Sequence, residues 1–263
     1  MAWIEALDTA VYYQTTGSPD GRPVLFLHEL GGSHASWSSL TGLLDDHYCV
    51  AIDLPGAGRS EKRRGNGSLA ELAAVTRALM MQLAPGRQWN LVGSALGSFV
   101  ALDLARNHPE LVDTVTVCAV VPTIDTTTGA YLRHRVERIG REGMAAVTEY
   151  SLANSLTRKL PLPTDAFRRD YEYAFRCQDP DGYGLLSLAL ADFEGGADYL
   201  ASIDVPTLVM AGAHDFIWPP ALVKSVANAI PGAAFHVLED GGHFAHVQCP
   251  QSFAGRMKEF WKV

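Results

Sequence analysis

The sequence predicts an α/β fold in which a mostly parallel central sheet is flanked by helices. Short apolar segments alternate with helical patterns along the chain, as is typical of parallel sheets covered by helices. The length of 263 residues and the hydrophobic fraction of 48% fit one large domain, or a domain that carries an insertion. With 19% charged residues, the composition argues against wholesale disorder.

The predicted elements follow in chain order. Two opening segments, split by Asp8 and Thr9, are expected to form a hairpin. Ser68 and Glu71 have the spacing of a capping box and mark the start of a long amphipathic helix. The predicted strands cover residues 3–7, 11–14, 24–28, 49–53, 89–93, 114–121, 207–212 and 234–238. The predicted helices of the core cover residues 68–83, 95–107 and 251–261.

Between residues 123 and 196 the pattern changes, because helical segments follow one another without a strand-like run between them. We interpret this region as a helical cap inserted after the sixth strand, with residues 1–122 and 197–263 forming the core. The cap is expected to lie over the carboxyl ends of the strands, where open α/β sheets bind their ligands. A ligand cleft between cap and core is therefore predicted.

The charge of the chain argues against several classes of partner. The formal net charge is −8, whereas nucleic-acid binding requires a basic surface, and the basic run 62–64 is interpreted as a solvated loop. No apolar stretch reaches the roughly 18 residues needed to cross a bilayer. Glu5 and Asp8 interrupt the segment that would be apolar in a signal peptide. We expect a small-molecule substrate, no nucleic acid, no membrane, a cytoplasmic location, and a monomer or homodimer.

The cysteines predict neither a metal site nor a disulfide framework, because they are scattered and form no C-x-x-C pair. Two of them, Cys49 and Cys118, lie in apolar segments and are interpreted as buried small hydrophobic residues. The other two are Cys177 and Cys249. No metal or organic cofactor is expected.

A strand that runs directly into a helix carries the most informative motif. Gly93 and Gly97 lie two places before and two places after Ala95. This is the spacing of G-x-S-x-G, in which the central residue occupies a strained turn and side chains two places away would collide. A G-x-x-x-G spacing also occurs in ordinary helix packing, but its place between a buried strand and an apolar helix favours the turn. The motif is complete except that Ala95 stands where the serine is expected.

With this motif and four others, the chain resembles the α/β-hydrolase superfamily over nearly its whole length. The segment 28–33 (HELGGS) stands where the family carries its oxyanion loop, and 53–60 (DLPGAGRS) matches the family's D-x-P-G-x-G-x-S loop. Asp215 follows a strand and His243 follows the last strand, so the order nucleophile, acid, histidine is that of the family. Within the superfamily the chain looks most like 3-oxoadipate enol-lactonases and related small esterases, in the segments 138–144 and 181–183.

The resemblance implies a Ser-His-Asp mechanism. A serine at position 95 would be deprotonated by His243 as it attacks a carbonyl, and Asp215 would orient the imidazole and stabilise its charged form. The backbone N–H groups of Leu30 and Leu96 would bind the oxyanion, each such donor being worth about 3 kcal/mol. Because Ala95 has no attacking atom, the chain as written is expected to be inactive.

Three explanations for Ala95 remain open at this point. We favour a deliberate serine-to-alanine replacement that traps intact substrate, because the rest of the apparatus is present. Alternatively, alanine is natural in a ligand-binding or receptor protein that kept the pocket. In the third explanation the chemistry needs no serine, as in cofactor-free oxygenases on this fold. Loss of such a nucleophile typically lowers turnover by about 10⁶.

The predicted reaction is hydrolysis of a small ester or lactone, with amides as the next choice. C–C bond hydrolases share the same Ser-His-Asp apparatus and remain an alternative. Haloalkane dehalogenases and epoxide hydrolases rank low, because they need an aspartate at the position of Ala95. Asp125, just after the sixth strand, is the alternative to Asp215 as the acid.

Substrate contacts are predicted from both the core and the cap. Glu29 departs from the glycine of many relatives, and a carboxylate there opposes a developing negative charge. We interpret it either as pointing outward to bond local backbone or as recognising an amine, amide or hydroxyl of the substrate. Trp218 and Tyr131 are expected to line the pocket, in an aromatic set that also holds Tyr150, Tyr183 and Phe193.

One helix of the cap carries Arg133, Arg135 and Arg138 together with Glu137. Charges in this arrangement usually form a solvated face. The alternative is that one of the arginines clamps a substrate carboxylate through two parallel hydrogen bonds.

Overall fold

The computed structural model describes residues 2–62, 67–156, 160 and 165–262. Within these ranges the strands are β1 Ala2–Glu5, β2 Ala10–Gly17, β3 Arg22–Leu27, β4 His47–Ile52, β5 Trp89–Ser94, β6 Val112–Cys118, β7 Thr207–Gly212 and β8 Ala234–Leu238. The helices are α1 Ser38–Thr41, α2 Leu69–Leu83, α3 Leu96–Asn107, α4 Thr126–Glu142, α5 Ala145–Ser155, α6 Asp165–Arg176, α7 Pro180–Ala191, α8 Ala197–Ala201, α9 Pro220–Ala229, α10 Ala245–Gln248 and α11 Pro250–Phe260. Within the described residues, no helix has the length and apolar character needed to span a membrane.

All of these strands join one sheet in the order β1-β2-β4-β3-β5-β6-β7-β8. Strand β2 runs antiparallel to both of its neighbours, and the strands from β3 to β8 pair in parallel. The predicted mostly parallel sheet flanked by helices is therefore confirmed. The predicted opening hairpin corresponds to β1 and β2.

Strands β5 and β7 are buried at every residue. Because successive side chains of a strand point to opposite faces, both faces of the sheet are covered at these strands. Helix α3 packs against β5 and β6, and α9 packs against β7. The carboxyl ends of parallel strands lie at one edge of a sheet, so the residues that follow β5, β7 and β8 are brought to the same edge.

Strand β6 is shorter than the sequence predicts. The expected strand 114–121 ends at Cys118, because Ala119 has a φ of 51° and leaves the extended conformation. Val120 and Val121 are nevertheless buried. Their apolar character reflects packing beyond the end of the strand, and this explains why the pattern predicted a longer element.

The helices α4 to α8 lie between β6 and β7, where the series of strands was predicted to be interrupted. Helix α4 packs against α7, and α5 packs against α6. The assignment of residues 123–196 to a separate cap stays a prediction. In the basic run 62–64, Lys62 forms an ion pair of 2.9 Å with Asp181 at the start of α7, and Arg63 and Arg64 lie outside the described residues.

Candidate active site

The turn between β5 and α3 holds Ala95 in a backbone conformation that alanine rarely adopts, with φ 45° and ψ −114°. Its N–H donates to the carbonyl of Cys118 at 3.0 Å, and its carbonyl accepts from the N–H of Ser98 at 2.9 Å. Sparsely populated backbone conformations cost about 1–3 kcal/mol and cluster at functional sites. The strained turn of a G-x-S-x-G motif is therefore present without the serine.

The two glycines of the motif make this turn possible. A Cβ atom on Gly93 would lie 2.5 Å from the carbonyl oxygen of Gly97, and one on Gly97 would lie 2.0 Å from the carbonyl oxygen of Leu27. Both distances are far below a van der Waals contact. The N–H of Gly97 also donates to the carbonyl of His28 at 3.1 Å, so α3 begins directly against the end of β3.

His243 and Asp215 form a buried pair at the same edge of the sheet. The Nδ1 atom of His243 lies 2.8 Å from Oδ2 of Asp215, and the other carboxylate oxygen accepts from the N–H groups of Ile217 and Trp218 at 2.9 Å. A carboxylate held in this way fixes the tautomer in which Nδ1 carries the proton. The Nε2 atom of His243 is then the basic one.

A cavity of about 440 Å³ opens beside Ala95 and His243. The predicted pocket residues Trp218 and Tyr131 line it, and so does Leu30, which was predicted as an oxyanion donor. Leu96 and Asp215 do not line the cavity: Leu96 is buried behind the turn, and Asp215 lies behind His243. The other lining side chains are mostly aromatic or aliphatic and include Leu132, Phe175, Tyr183, Leu190, Phe216, Ile217 and Phe244.

The backbone N–H groups of Leu30 and Leu96, the predicted oxyanion donors, lie at this edge of the sheet. Within the described part of the chain, neither the N–H of Leu30 nor that of Leu96 donates a hydrogen bond. Leu96 is the first residue of α3, so its N–H shares the partial positive charge of a helix N-terminus. Unpaired donors at a helix N-terminus favour an anion or a developing negative charge.

The position of Glu29 differs from both interpretations made from the sequence, because its carboxylate neither points outward nor lines the cavity. The side chain is 0% exposed. It accepts hydrogen bonds from the hydroxyl of Ser36 at 2.9 Å, from Nε2 of His246 at 3.0 Å and from the hydroxyl of Tyr171. A buried carboxylate needs such donors to offset the loss of water. The prediction that Glu29 contacts substrate is therefore not supported by its position.

The electrostatics of this cluster keep Glu29 charged. Burial alone would raise the pKa of the carboxyl group, but the charge of His246 and its hydrogen bond lower the pKa to about 2. For Tyr171, burial and the neighbouring charge of Glu29 both raise the pKa of the hydroxyl well above its ordinary value. Tyr171 therefore acts as a neutral donor to a charged acceptor.

His28, the first residue of the segment 28–33, also holds this loop in place. Its Nδ1 atom donates to the carbonyl of Glu29 at 2.7 Å, and its Nε2 atom accepts from the N–H of Leu54 at 3.0 Å. Burial lowers the pKa of His28, which favours the neutral ring that these bonds require.

Asp53 links His34, the residue that follows the segment 28–33, to the segment 53–60. Its carboxylate accepts from the N–H of His34 at 2.6 Å and from the N–H of Arg59 at 2.8 Å. A Cβ atom on Gly58, where φ is +54°, would lie 2.3 Å from this carboxylate. The residues of the D-x-P-G-x-G-x-S motif therefore hold the loop that follows β3 and do not line the cavity.

Asp125, the alternative acid, occupies a different kind of position. It is exposed, and its side chain caps α4 by accepting from the N–H of Thr128 at 2.7 Å. Of the predicted aromatic set, Tyr131, Tyr150, Tyr183 and Trp218 line the cavity. Phe193 instead packs edge to face on Phe99, with ring centroids 4.7 Å apart.

The partners of Glu29 could not be found from the sequence. Tyr171 and His246 hold Glu29 from far along the chain, and no local pattern connects them. Of the three arginines considered on α4, Arg135 lines the cavity, whereas Arg133 and Arg138 do not. The spacing carried a signal, because residues two apart on a helix point to nearly opposite sides, so Arg133 and Arg135 cannot share one solvated face.

The fold and this site define the class of protein. A family model described as the alpha/beta hydrolase fold matches residues 22–250. The chain therefore belongs to the α/β-hydrolase family, as its motifs predicted.

Curated proteins and solved structures extend the comparison. The chain is 28% identical over 243 residues to the dihydrolipoyllysine-residue acetyltransferase component of the acetoin cleaving system of Cupriavidus necator, covering 90% of this chain but only 62% of that protein. An enol-lactonase from Burkholderia xenovorans is 20% identical with a TM-score of 0.87, and each chain is covered completely. A thermophilic esterase from Thermogutta terrifontis is 23% identical with a TM-score of 0.87, over 99% of this chain and 97% of the other. At these identities the two structures show the fold alone.

Proposed function

We propose that this site belongs to a hydrolase of small esters or lactones, with Ala95 in the place of the nucleophilic serine. The observation that carries the proposal is the strained turn at Ala95, which faces a cavity that His243 also lines. A strained backbone persists only where the surrounding structure enforces it. Here the two glycines and the His243–Asp215 pair surround position 95, where the alanine side chain carries no hydroxyl.

The chemistry follows from the positions of these groups. A substrate carbonyl would lie with its carbon against the Cβ atom of Ala95 and its oxygen toward the N–H groups of Leu30 and Leu96. With serine at position 95, the hydroxyl oxygen would bond to the carbonyl carbon as its proton passes to His243. The imidazolium would then give the proton to the leaving alkoxide, and water would release the acid from the acyl-enzyme by the same route. As written, the chain lacks the first of these steps.

A ligand-binding protein is the second candidate, and Ala95 itself favours it. Removal of one hydroxyl leaves the cavity and both N–H donors available, and most of the binding free energy of a small ligand comes from such a pocket. We expect the affinity for the substrate to differ by no more than about 1–2 kcal/mol between alanine and serine at this position.

The test compares the chain as it stands with Ala95→Ser. Ala119→Ser is the matched control, because Ala119 is also a buried alanine with positive φ, at 51°, but does not line the cavity. Both variants and the parent are assayed on 4-nitrophenyl butanoate, δ-valerolactone and a simple anilide. We expect Ala95→Ser to raise turnover of the ester or the lactone by up to about 10⁶, with no gain from Ala119→Ser.

A folded Ala95→Ser variant that hydrolyses none of these substrates would favour the binding-protein alternative. Crystals of the parent soaked with an ester distinguish the two further. A carbonyl carbon facing Ala95 supports acyl transfer. A ligand with no electrophilic carbon near Ala95 contradicts it, and oxygen consumption on addition of the ligand would instead indicate an oxygenase.

A further inference from the structure

Helix α6 and the residues just after it carry one buried face. Tyr171, Phe175 and Gln178 are buried, whereas Tyr173 and Arg176 are exposed. Spacings of four and three residues place side chains on the same side of a helix. Because only this side is buried, it is the side that packs against the rest of the protein.

Two contacts from this face flank Leu30 in the chain. The hydroxyl of Tyr171 donates to the carboxylate of Glu29, the residue before Leu30. The ring of Phe175 packs on Gly31, the residue after it, where the Cβ atom of any other residue would collide with the ring. Leu30 therefore lies between two points at which α6 contacts the loop that follows β3.

The side-chain amide of Gln178 binds the next part of the same loop. Its Nε2 atom donates to the carbonyls of Gly31 and Gly32 at 3.4 Å and 3.3 Å. Its Oε1 atom accepts from the N–H of Gly58 at 3.1 Å. Both ends of this buried amide are therefore used, as buried polar groups require. Gln178 thus fixes the position of Gly32 relative to the core.

The N–H of Leu30 and the carbonyl of Glu29 belong to one peptide group. This group is trans and planar, so the two bonds point in opposite directions and the direction of one sets that of the other. The carbonyl of Glu29 accepts from the N–H of Gly32 at 2.9 Å and from Nδ1 of His28 at 2.7 Å. The position of Gly32, which Gln178 holds, therefore helps to set the direction of the Leu30 N–H.

We propose that Tyr171 and Gln178 are positioning residues for the reaction, because they hold the peptide group between Glu29 and Leu30 with its N–H toward the cavity. This inference rests on the proposed function, since it takes that N–H as a donor to the developing oxyanion. Such a donor acts at roughly 2.7–3.1 Å from the oxyanion, and a misplacement of about 1 Å can lower a rate by about 10². Neither Tyr171 nor Gln178 lines the cavity, so both act through the loop.

The first experiment measures donor geometry in the Ala95→Ser background. 4-Nitrophenyl butanoate is compared with its thiono analogue, in which sulfur replaces the carbonyl oxygen. Because sulfur is a weak hydrogen-bond acceptor, the ratio of kcat for the ester over the thionoester reports what the donors contribute. Tyr171→Phe and Gln178→Met are each expected to lower kcat for the ester by about 10- to 100-fold, with little change in KM, and to lower this ratio.

Tyr173→Phe is the matched control, since Tyr173 is an exposed tyrosine of the same helix, and it is expected to leave kcat and the ratio unchanged. A purely structural role would lower turnover of both substrates equally, and an unchanged ratio in Tyr171→Phe and Gln178→Met would overturn the inference. An equal fall of the ratio in Tyr173→Phe would overturn it too. Gln178→Glu keeps an acceptor for the N–H of Gly58 but no amide donor, and it serves if the methionine variant does not fold.

A second experiment needs no hydrolysis and uses the chain as it stands, with Ala95. Relaxation of ¹⁵N gives the order parameter of the Leu30 amide, which is expected near about 0.85 in the parent, as in rigid backbone, and lower in Tyr171→Phe and Gln178→Met. A fall confined to these two variants supports the positioning role even if Ala95→Ser hydrolyses nothing. Conversely, hydrolysis by Ala95→Ser, with the order parameter and the ratio unchanged in both variants, would uphold the proposed function and refute the positioning role.

Discussion

The hydroxyl of Tyr171, on helix α6, donates a hydrogen bond to the buried carboxylate of Glu29, which directly precedes Leu30 in the chain. This bond connects a helix inserted between β6 and β7 to the loop that carries Leu30. The same carboxylate accepts from His246, three residues after His243. The buried carboxylate of Glu29 thus links helix α6, the loop that carries Leu30 and the loop that carries His243.

Removal of the tyrosine hydroxyl tests this connection. Tyr171→Phe is expected to lower the free energy of unfolding by about 1.5–3 kcal/mol, because the bond it removes has a charged acceptor. Tyr173→Phe is the matched control, since Tyr173 lies on the same helix and is exposed, and its effect is expected to stay within about 0.5 kcal/mol. Urea denaturation measures both. Equal effects of the two substitutions would show that the bond to Glu29 contributes nothing to stability.

Replacement of Glu29 tests the hydrogen bonds that its carboxylate accepts. Glu29→Gln is expected to lower the free energy of unfolding by about 1.5–3 kcal/mol at neutral pH, because it removes the charged acceptor that Ser36, Tyr171 and His246 share. The pKa of Glu29 is lowered in the folded state to about 2 from an ordinary 4.5. Its stabilising contribution is therefore complete above the unfolded-state pKa and is lost as the pH falls toward the folded-state value.

Denaturation at a series of pH values checks this dependence. Between about pH 5 and pH 2, the unfolding free energy of the parent is expected to fall more steeply than that of Glu29→Gln, because in the parent the unfolded state takes up the proton first. Parallel curves for the two proteins would contradict a lowered pKa at Glu29.

The roles of His243 and Asp215 are tested in the Ala95→Ser background. We expect His243→Ala to remove turnover almost as completely as alanine at position 95 does. Asp215→Asn is expected to lower kcat by about 10⁴, because asparagine favours the wrong tautomer of the imidazole. Asp125→Asn should leave turnover nearly unchanged, since asparagine also caps a helix. Steady-state kinetics on one ester measure all three. A severe effect of Asp125→Asn with a silent Asp215→Asn would reverse the assignment of the acid.

The tight contact between α3 and β3 predicts a large difference between two glycines. Gly97→Ala places a methyl group 2.0 Å from the backbone oxygen of Leu27, so we expect a loss of stability of about 3 kcal/mol or more, or no folded protein. Gly140→Ala, on the exposed side of α4 with open space around it, is expected to stabilise by up to about 1 kcal/mol. Thermal denaturation compares the two. A tolerated Gly97→Ala would show that the turn can relax.

Elements that depend on local pattern could be predicted from the sequence. The turn at Ala95 was predictable because its glycines are required by the backbone within a few residues, as the close approach of Gly93 to Gly97 shows. The place of the inserted helices was predictable for the same reason, since helical periodicity is local. Asp215 and His243 were found through motifs that follow strands, and the 2.8 Å contact between them agrees with that prediction.

Contacts between distant parts of the chain could not be predicted in this way. Glu29 and Tyr171 are 142 positions apart, and nothing in either local segment indicates the other. Glu29 was therefore interpreted as bonding local backbone or substrate, whereas two of its three partners, Tyr171 and His246, are buried side chains from distant parts of the chain. Arg135 shows the same limit, because its direction became evident only when Ser151 and Tyr183 were seen to hold it.

The turn at Ala95 also has a consequence for the history of this gene. Its conformation is enforced by neighbouring backbone and by glycines, so the geometry that a nucleophile requires does not depend on the side chain at position 95. Every alanine codon differs from a serine codon by a single base. A lineage with this backbone stands one base substitution from a nucleophile, with no second change needed to shape the turn. Selection on this position would therefore act on the presence of the hydroxyl alone. Alanine and serine at position 95 can replace each other for as long as Gly93 and Gly97 are kept.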